Sequence, residues 1–152
     1  AATELDRAIV LLSEHGHPAH LSFALGNKAK VAWKLGDVAQ YLALSTQQLK
    51  KAIELHDLAA INVQVLGIAE NAKSNNDELL CARAVSLLKQ LNGPVPKFPE
   101  STMTKRFSTE CDWLENRGVS LPPMELEKSD WQGISIIVKE MLSKFCQTQK
   151  LL

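Results

Sequence analysis

The spacing of apolar residues constrains this chain more than any other feature of its sequence. Apolar residues recur three and four positions apart along most of the chain, which is the period of an α-helix. Between residues 19 and 35, for example, Leu21, Leu25, Ala29 and Ala32 fall on one helical face. The alternation of β-branched residues that is typical of strands is almost absent. The sequence therefore predicts an all-α fold.

Breaks in this pattern divide the chain into helical segments. Gly16 and Pro18 end the first segment, Gly36-Asp37 ends the second, and Asp77 and Asp130 are predicted N-caps. The segment 58–73 is apolar nearly all round, which is typical of a helix covered on several sides. Seven helices are predicted, at residues 3–15, 19–35, 38–56, 58–73, 78–91, 101–116 and 130–147.

The texture of the sequence changes at about residue 93. Residues 93–99 hold three of the six prolines, and such a stretch is extended and semi-rigid. We therefore expect a helical region at residues 1–92, followed by a linker and a two-helix tail at 93–152. The tail is short for independent folding, so we expect it to pack on the first region or on a partner.

Charge and composition exclude several classes of protein. Seventeen basic residues balance seventeen acidic residues, so the chain lacks the overall positive charge of a nucleic-acid-binding domain. Three scattered cysteines argue against a disulfide framework and favour a reducing compartment. No apolar run is long enough for a membrane span. We expect an intracellular, cytoplasmic or nuclear protein, and the start without Met suggests a piece excised from a longer chain.

Two parts of the chain look alike. Residues 19–56 and 58–92 are each a predicted helix, a short turn and a second helix, at a spacing of about 36 residues. The quoted segments are Leu25-Gly26-Asn27-Lys28-Ala29, Gly36-Asp37 and Ala52-Ile53-Glu54-Leu55. In this pattern residues 3–92 resemble the tetratricopeptide repeat, with helices about one turn longer than those of the family. Glycines in the first helix of each pair, such as Gly26 and Gly67, would let neighbouring helices approach closely.

The resemblance implies a TPR-like α-solenoid of stacked helical hairpins that binds other proteins. We expect a non-catalytic scaffold or adaptor whose partner is another protein chain or a second copy of itself, without membrane binding and without an evident small-molecule substrate. Some members of the family hold a C-terminal carboxylate with a Lys-x-x-Gly-Asn clamp. Here Gly26-Asn27 matches the clamp but Phe23 stands at the Lys position, so this binding mode is not expected.

Aromatic and basic residues are the candidate partner contacts. Part-exposed Trp side chains bury a large area at low entropic cost, and Trp33, Trp113 and Trp131 fall beside the apolar faces or next to irregular segments. Lysines 28, 30 and 34 lie close together in the second helix. The predicted partner-binding residues are Asn27, Lys30, Trp33, Lys34, Trp113 and Trp131.

Catalytic signals are weak. Ser86 and Lys89 match an SxxK pattern whose companion motifs are missing, and Cys111 and Cys146 fall on or beside faces that look buried. We predict no catalytic residues, no metal site and no cofactor. Two alternatives stay open. One is RNA or ribonucleoprotein binding through Lys28, Lys30 and Lys34. The other is a metal-dependent enzyme centred on His15, His17 and His20, because three imidazoles within six residues could ligate zinc.

Overall fold

The computed structural model describes residues 2–15, 18–96, 98 and 101–150, apart from the side chains of residues 2, 15, 18, 19 and 148–150. Within these residues the chain forms seven α-helices and no strand, which confirms the predicted all-α class. The predicted helix ends differ from the observed ones by at most three residues. The helices are α1 (Ala2–His15), α2 (Pro18–Lys34), α3 (Val38–Glu54), α4 (Leu58–Ser74), α5 (Glu78–Asn92), α6 (Ser101–Asn116) and α7 (Trp131–Lys150).

An aspartate caps the N-terminus of each of the helices α3, α4 and α5. The Oδ1 atoms of Asp37, Asp57 and Asp77 accept hydrogen bonds of 3.0–3.1 Å from the backbone N–H groups three residues further on. The N–H group of each aspartate in turn donates to a carbonyl oxygen at the end of the preceding helix, at 2.8–2.9 Å. One residue therefore satisfies backbone groups of two helices, which is why the chain can reverse without a longer loop.

The residue before each capping aspartate has a left-handed backbone. Its φ angle is 78° at Gly36, 50° at His56 and 57° at Asn76. This conformation is free of steric cost only for glycine, although Asn and His adopt it more readily than most residues. The three turns thus share one geometry while their sequences differ.

This shared turn sets a strict register. The helices α2, α3 and α4 have 17 residues each, and three turn residues follow each of them. Helix starts therefore recur every 20 residues, at Pro18, Val38, Leu58 and Glu78. The predicted repeat of about 36 residues is wrong, because a helix pair in this register spans twice 20, or 40, residues. Each of these helices buries the equivalent early residue, namely Leu21, Tyr41, Ile61 and Cys81.

The chain contains two compact units. Unit 1 comprises residues 1–61 and 138–152, and unit 2 comprises residues 62–137, so that α4 and α7 each contribute residues to both units. The division at residue 93 that the sequence predicts is not tested by this grouping and stays a prediction.

In unit 1, α2 packs against both α1 and α3. Gly26 of α2 lies under Gln48 of α3, and a Cβ atom added at Gly26 would come within 2.7 Å of the Gln48 Nε2 atom. The predicted close approach of helices is therefore confirmed at Gly26. It is wrong for Gly67 of α4, where an added Cβ atom would meet nothing within 4 Å.

An aromatic cluster fixes the end of α7 within unit 1. The ring of Trp33 in α2 lies 5.1 Å from that of Tyr41 in α3 and 4.6 Å from that of Phe145 in α7, measured between ring centroids. Phe145 is fully buried, so these rings form part of the core of the unit.

In unit 2, polar side chains join α5 to its neighbours. Asn62 of α4 and Asn92 of α5 exchange reciprocal amide hydrogen bonds of 2.9 and 2.8 Å. The Ser86 hydroxyl donates to the Pro122 carbonyl oxygen at 2.5 Å, and the Gln90 amide donates to the Leu126 carbonyl oxygen at 2.7 Å. The irregular segment between α6 and α7 is thereby held to α5, and α6 also packs on α5.

The two glycines of opposite conformation predict opposite effects on stability. Gly36→Ala places a side chain on a left-handed residue, so we expect the free energy of unfolding to fall by about 1 kcal/mol. Gly67→Ala adds a methyl group in open space within a helix, so we expect a rise of up to about 1 kcal/mol. Urea unfolding followed by circular dichroism measures both, and equal signs for the two variants would contradict the turn geometry.

Candidate functional site

A groove crosses the surface of unit 1, with α2 as its floor and with α1 and α3 as its walls. Its volume is about 240 Å³. The lining residues are Ile9 and Ser13 of α1, Leu21 and Leu25 of α2, and Gln47, Lys50 and Lys51 of α3. One helix separates the two walls in the chain, so the groove follows from the packing of α1 and α3 on opposite sides of α2.

The floor of the groove is apolar and one wall is basic. Leu21 and Leu25 are buried, with only 8% and 3% of their surfaces exposed. Lys51 is paired with Glu54 at 3.2 Å, whereas Lys50 is exposed beside it. The Ser13 hydroxyl donates to the Ile9 carbonyl oxygen at 2.7 Å and is therefore engaged within its own helix. The groove is suited to an apolar side chain that has a negative charge next to it.

The lysines of α2 do not form one basic face. Successive residues of a helix are rotated by about 100°, which places Asn27, Lys30 and Lys34 on one strip and Lys28 on another. Lys28 forms an ion pair with Asp6 of α1. The structure therefore brings three of the predicted partner-binding residues together, and it separates Lys28 from the basic cluster on which the RNA-binding alternative depends.

The three tryptophans lie in different surroundings. Trp33 is stacked in the aromatic cluster of unit 1 and is half-buried. Trp113 of α6, in unit 2, lies under the guanidinium group of Arg117, with 4.5 Å between that group and the ring centroid. Trp131 begins α7 and is half-buried. Their role as partner contacts, like that of Asn27, Lys30 and Lys34, stays a prediction.

A buried carboxylate lies between α4, α5 and α6 in unit 2. Glu110 of α6 is only 3% exposed, and its Oε1 atom lies 3.6 Å from the Lys73 ammonium nitrogen of α4. The Cys81 thiol of α5 donates to the other carboxylate oxygen at 3.9 Å. Burial raises the pKa of Glu110 above its ordinary value, and Lys73 opposes this shift.

The cysteines and Ser86 lack the features of nucleophiles. Burial, assisted by the negative charge of Glu110, raises the pKa of Cys81 to about 12, so the thiol stays protonated at neutral pH. Burial also raises the pKa of Cys111. Cys146 is buried, and the Ser86 hydroxyl is occupied by the Pro122 carbonyl oxygen. These groups serve packing and hydrogen bonding.

The histidine cluster is only partly within view. His17 and the side chain of His15 lie outside the described residues, and His20 is exposed on α2. Among the side chains that the structure describes, no group of three His, Cys, Asp or Glu is placed to hold a metal ion. The metal-dependent alternative built on His15, His17 and His20 is therefore not tested.

The 20-residue register is the signal that would have located the groove from the sequence. Aligned on the turns, Leu5, Ile9 and Leu12 of α1 match Leu25, Ala29 and Ala32 of α2, which assigns their shared face to the packed side. The remaining groove residues, Gln47 and Lys50, look like ordinary surface residues of α3. Their place opposite α1 depends on tertiary packing.

Comparisons with known proteins give no further guide. No family model, no curated protein and no solved structure matches this chain. Within the described residues, none of the helices combines the length and the apolar character required to cross a bilayer.

The raised pKa of Glu110 predicts how stability depends on pH. Because the folded state raises this pKa above its unfolded value, the contribution of Glu110 to stability is complete at low pH and is lost as pH rises through the folded pKa. In Glu110→Gln the neutral amide cannot titrate. We therefore expect this variant to lose less free energy of unfolding than the wild type between pH 4.5, the ordinary value, and neutral pH.

Urea unfolding at a series of pH values measures this difference. The matched control is Glu115→Gln, an exposed carboxyl group on the same helix, whose profile should follow that of the wild type. If Glu110→Gln and Glu115→Gln have the same pH profile, the buried carboxyl group does not titrate as described.

Proposed function

We propose that this chain is a non-catalytic protein-interaction module, and that the groove of unit 1 binds a short segment of another protein. The observation that carries the proposal is the combination of a buried apolar floor with an exposed lysine on one wall. Recognition sites for peptides commonly pair a pocket for an apolar anchor with a few polar groups that fix its orientation.

The chemistry of the lining defines the ligand. Leu21, Leu25 and Ile9 offer contacts to one aliphatic or aromatic side chain, and the volume of about 240 Å³ is sufficient for a single such anchor. Lys50 supplies the positive charge, and Lys51 is partly balanced by Glu54. The segment that fits carries an apolar residue with an aspartate or glutamate beside it.

We also propose that α1 to α5 constitute a helical repeat whose unit is one helix and one capped turn. The recurrence of Asp37, Asp57 and Asp77 at intervals of 20 residues supports this assignment, as does the shared register of buried residues. The unit is longer than that of the tetratricopeptide repeat which the sequence resembles. Repeats of this kind commonly bind other proteins on surfaces formed by successive units.

A selection from a library of short peptides tests the proposed function. With the chain as bait, we expect enriched peptides to share an apolar residue next to an acidic one. Lys50→Glu should weaken the binding of a selected peptide by about tenfold, because it reverses the charge on the groove wall. Fluorescence anisotropy with a labelled peptide measures the dissociation constant.

Lys30→Glu is the matched control, since Lys30 occupies on α2 the register position that Lys50 occupies on α3. Both lysines are exposed, so the same charge reversal is made on two neighbouring helices. Loss of binding in Lys30→Glu but not in Lys50→Glu would move the site to the strip of Asn27, Lys30 and Lys34. A selection without any enriched peptide would contradict the proposed function itself.

A further inference from the structure

Helix α1 has a second face, turned away from α2, that departs from the pattern of the other helices. At register position 10 of the repeat, the helices α2 to α5 carry Lys30, Lys50, Glu70 and Gln90. Helix α1 carries Val10 at this position, and 56% of its surface is exposed. The neighbouring Leu11 is 59% exposed. A solvated helix face does not need these aliphatic side chains, and exposed apolar patches of this kind mark contact surfaces.

The residues around Val10 form a continuous strip. With about 100° of rotation per residue, Thr3, Arg7, Val10 and Glu14 lie within about 60° of one another on the helix surface. A shallow depression of about 550 Å³ runs along this side of α1, lined by Thr3, Asp6, Arg7, Val10 and Leu11. The side chains that face α2, including Leu5 and Leu12, lie on the opposite side of the helix.

The charges on the strip are complementary to themselves. Arg7 and Glu14 are seven residues apart, and the midpoint between them falls between Val10 and Leu11. If two α1 helices pack in antiparallel orientation about that midpoint, Arg7 of each copy faces Glu14 of the other and the aliphatic residues meet at the centre. A parallel pair would instead place Arg7 against Arg7, which is repulsive. Asp6, at the edge of the strip, is paired with Lys28 within its own chain.

We propose that α1 is a self-association surface on which a second copy of this chain docks its own α1 in antiparallel orientation. The surface is distinct from the peptide groove and goes beyond the proposed function. Helix α1 has 14 residues and is therefore about 21 Å long. One such pair of helices buries less area than a stable dimer requires, so the association is weak and concentration-dependent.

Sedimentation equilibrium of the full chain, from about 10 μM to about 1 mM, tests this proposal, and we expect a reversible monomer–dimer equilibrium within that range. Val10→Lys installs the residue that the repeat carries at positions 30 and 50, so the helix should fold. It should weaken the dimer by at least about tenfold. The control is Leu79→Lys, which removes a comparably exposed aliphatic side chain from α5 and should leave the dimer unchanged.

Charge reversal tests the orientation. Arg7→Glu and Glu14→Arg should each weaken self-association, because each variant brings like charges together in its own dimer. An equimolar mixture of the two should restore it, since the carboxylates of the first variant then face the guanidinium groups of the second at both ends of the helix pair.

Three results would overturn the proposal: a chain that stays monomeric up to about 1 mM, a Val10→Lys variant that dimerises like the wild type, or a mixture that fails to associate. Peptide binding in the groove should survive Val10→Lys, and dimerisation should survive Lys50→Glu. The failure of one proposal can therefore be told from the failure of the other.

Discussion

The capping aspartate is the interaction on which the rest of the structure depends. A helix that ends leaves carbonyl groups without partners, and a helix that begins leaves N–H groups without partners. Asp37, Asp57 and Asp77 each satisfy groups of both kinds within a turn of three residues. Because the turns are equal in length, the helices start at equal intervals and bury equivalent residues. The register of the core is thus fixed by backbone hydrogen bonding as much as by the apolar residues themselves.

Departures from the repeat are where binding properties arise. Where neighbouring helices carry charged or polar side chains, Val10 leaves an aliphatic surface on α1. Where a larger residue would separate α2 from α3, Gly26 lets the Gln48 side chain lie against the backbone. The groove beside these helices has an apolar floor because Leu21 and Leu25 belong to the packed face of α2. In unit 2, by contrast, the buried groups Glu110, Lys73 and Cys81 hold three helices together and offer no activated nucleophile.

The sequence predicted the helices well and their repeat poorly. Apolar spacing located all seven helices, and the caps at Asp77 and Asp130 were predicted from residue type alone and are confirmed. The repeat was misjudged because Leu-Gly pairs were used to align the two hairpins. The shared geometry instead lies in a left-handed residue, which is Gly36, His56 or Asn76 in successive turns. Three different residue types in one conformation cannot be recognised by identity, since only the φ angle is common to them.

What the amino-acid sequence determined by itself is local: helix period, helix ends, capping and the neutral overall charge. Apart from the charge, these properties depend on residues within a few positions of one another. Only the tertiary structure decided that Lys28 pairs with Asp6, that Trp33 packs against Phe145, and that Lys50 shares a groove with Ile9. Each of these contacts joins residues of different helices. Their proximity depends on how whole helices pack, which the pattern within a single helix does not specify.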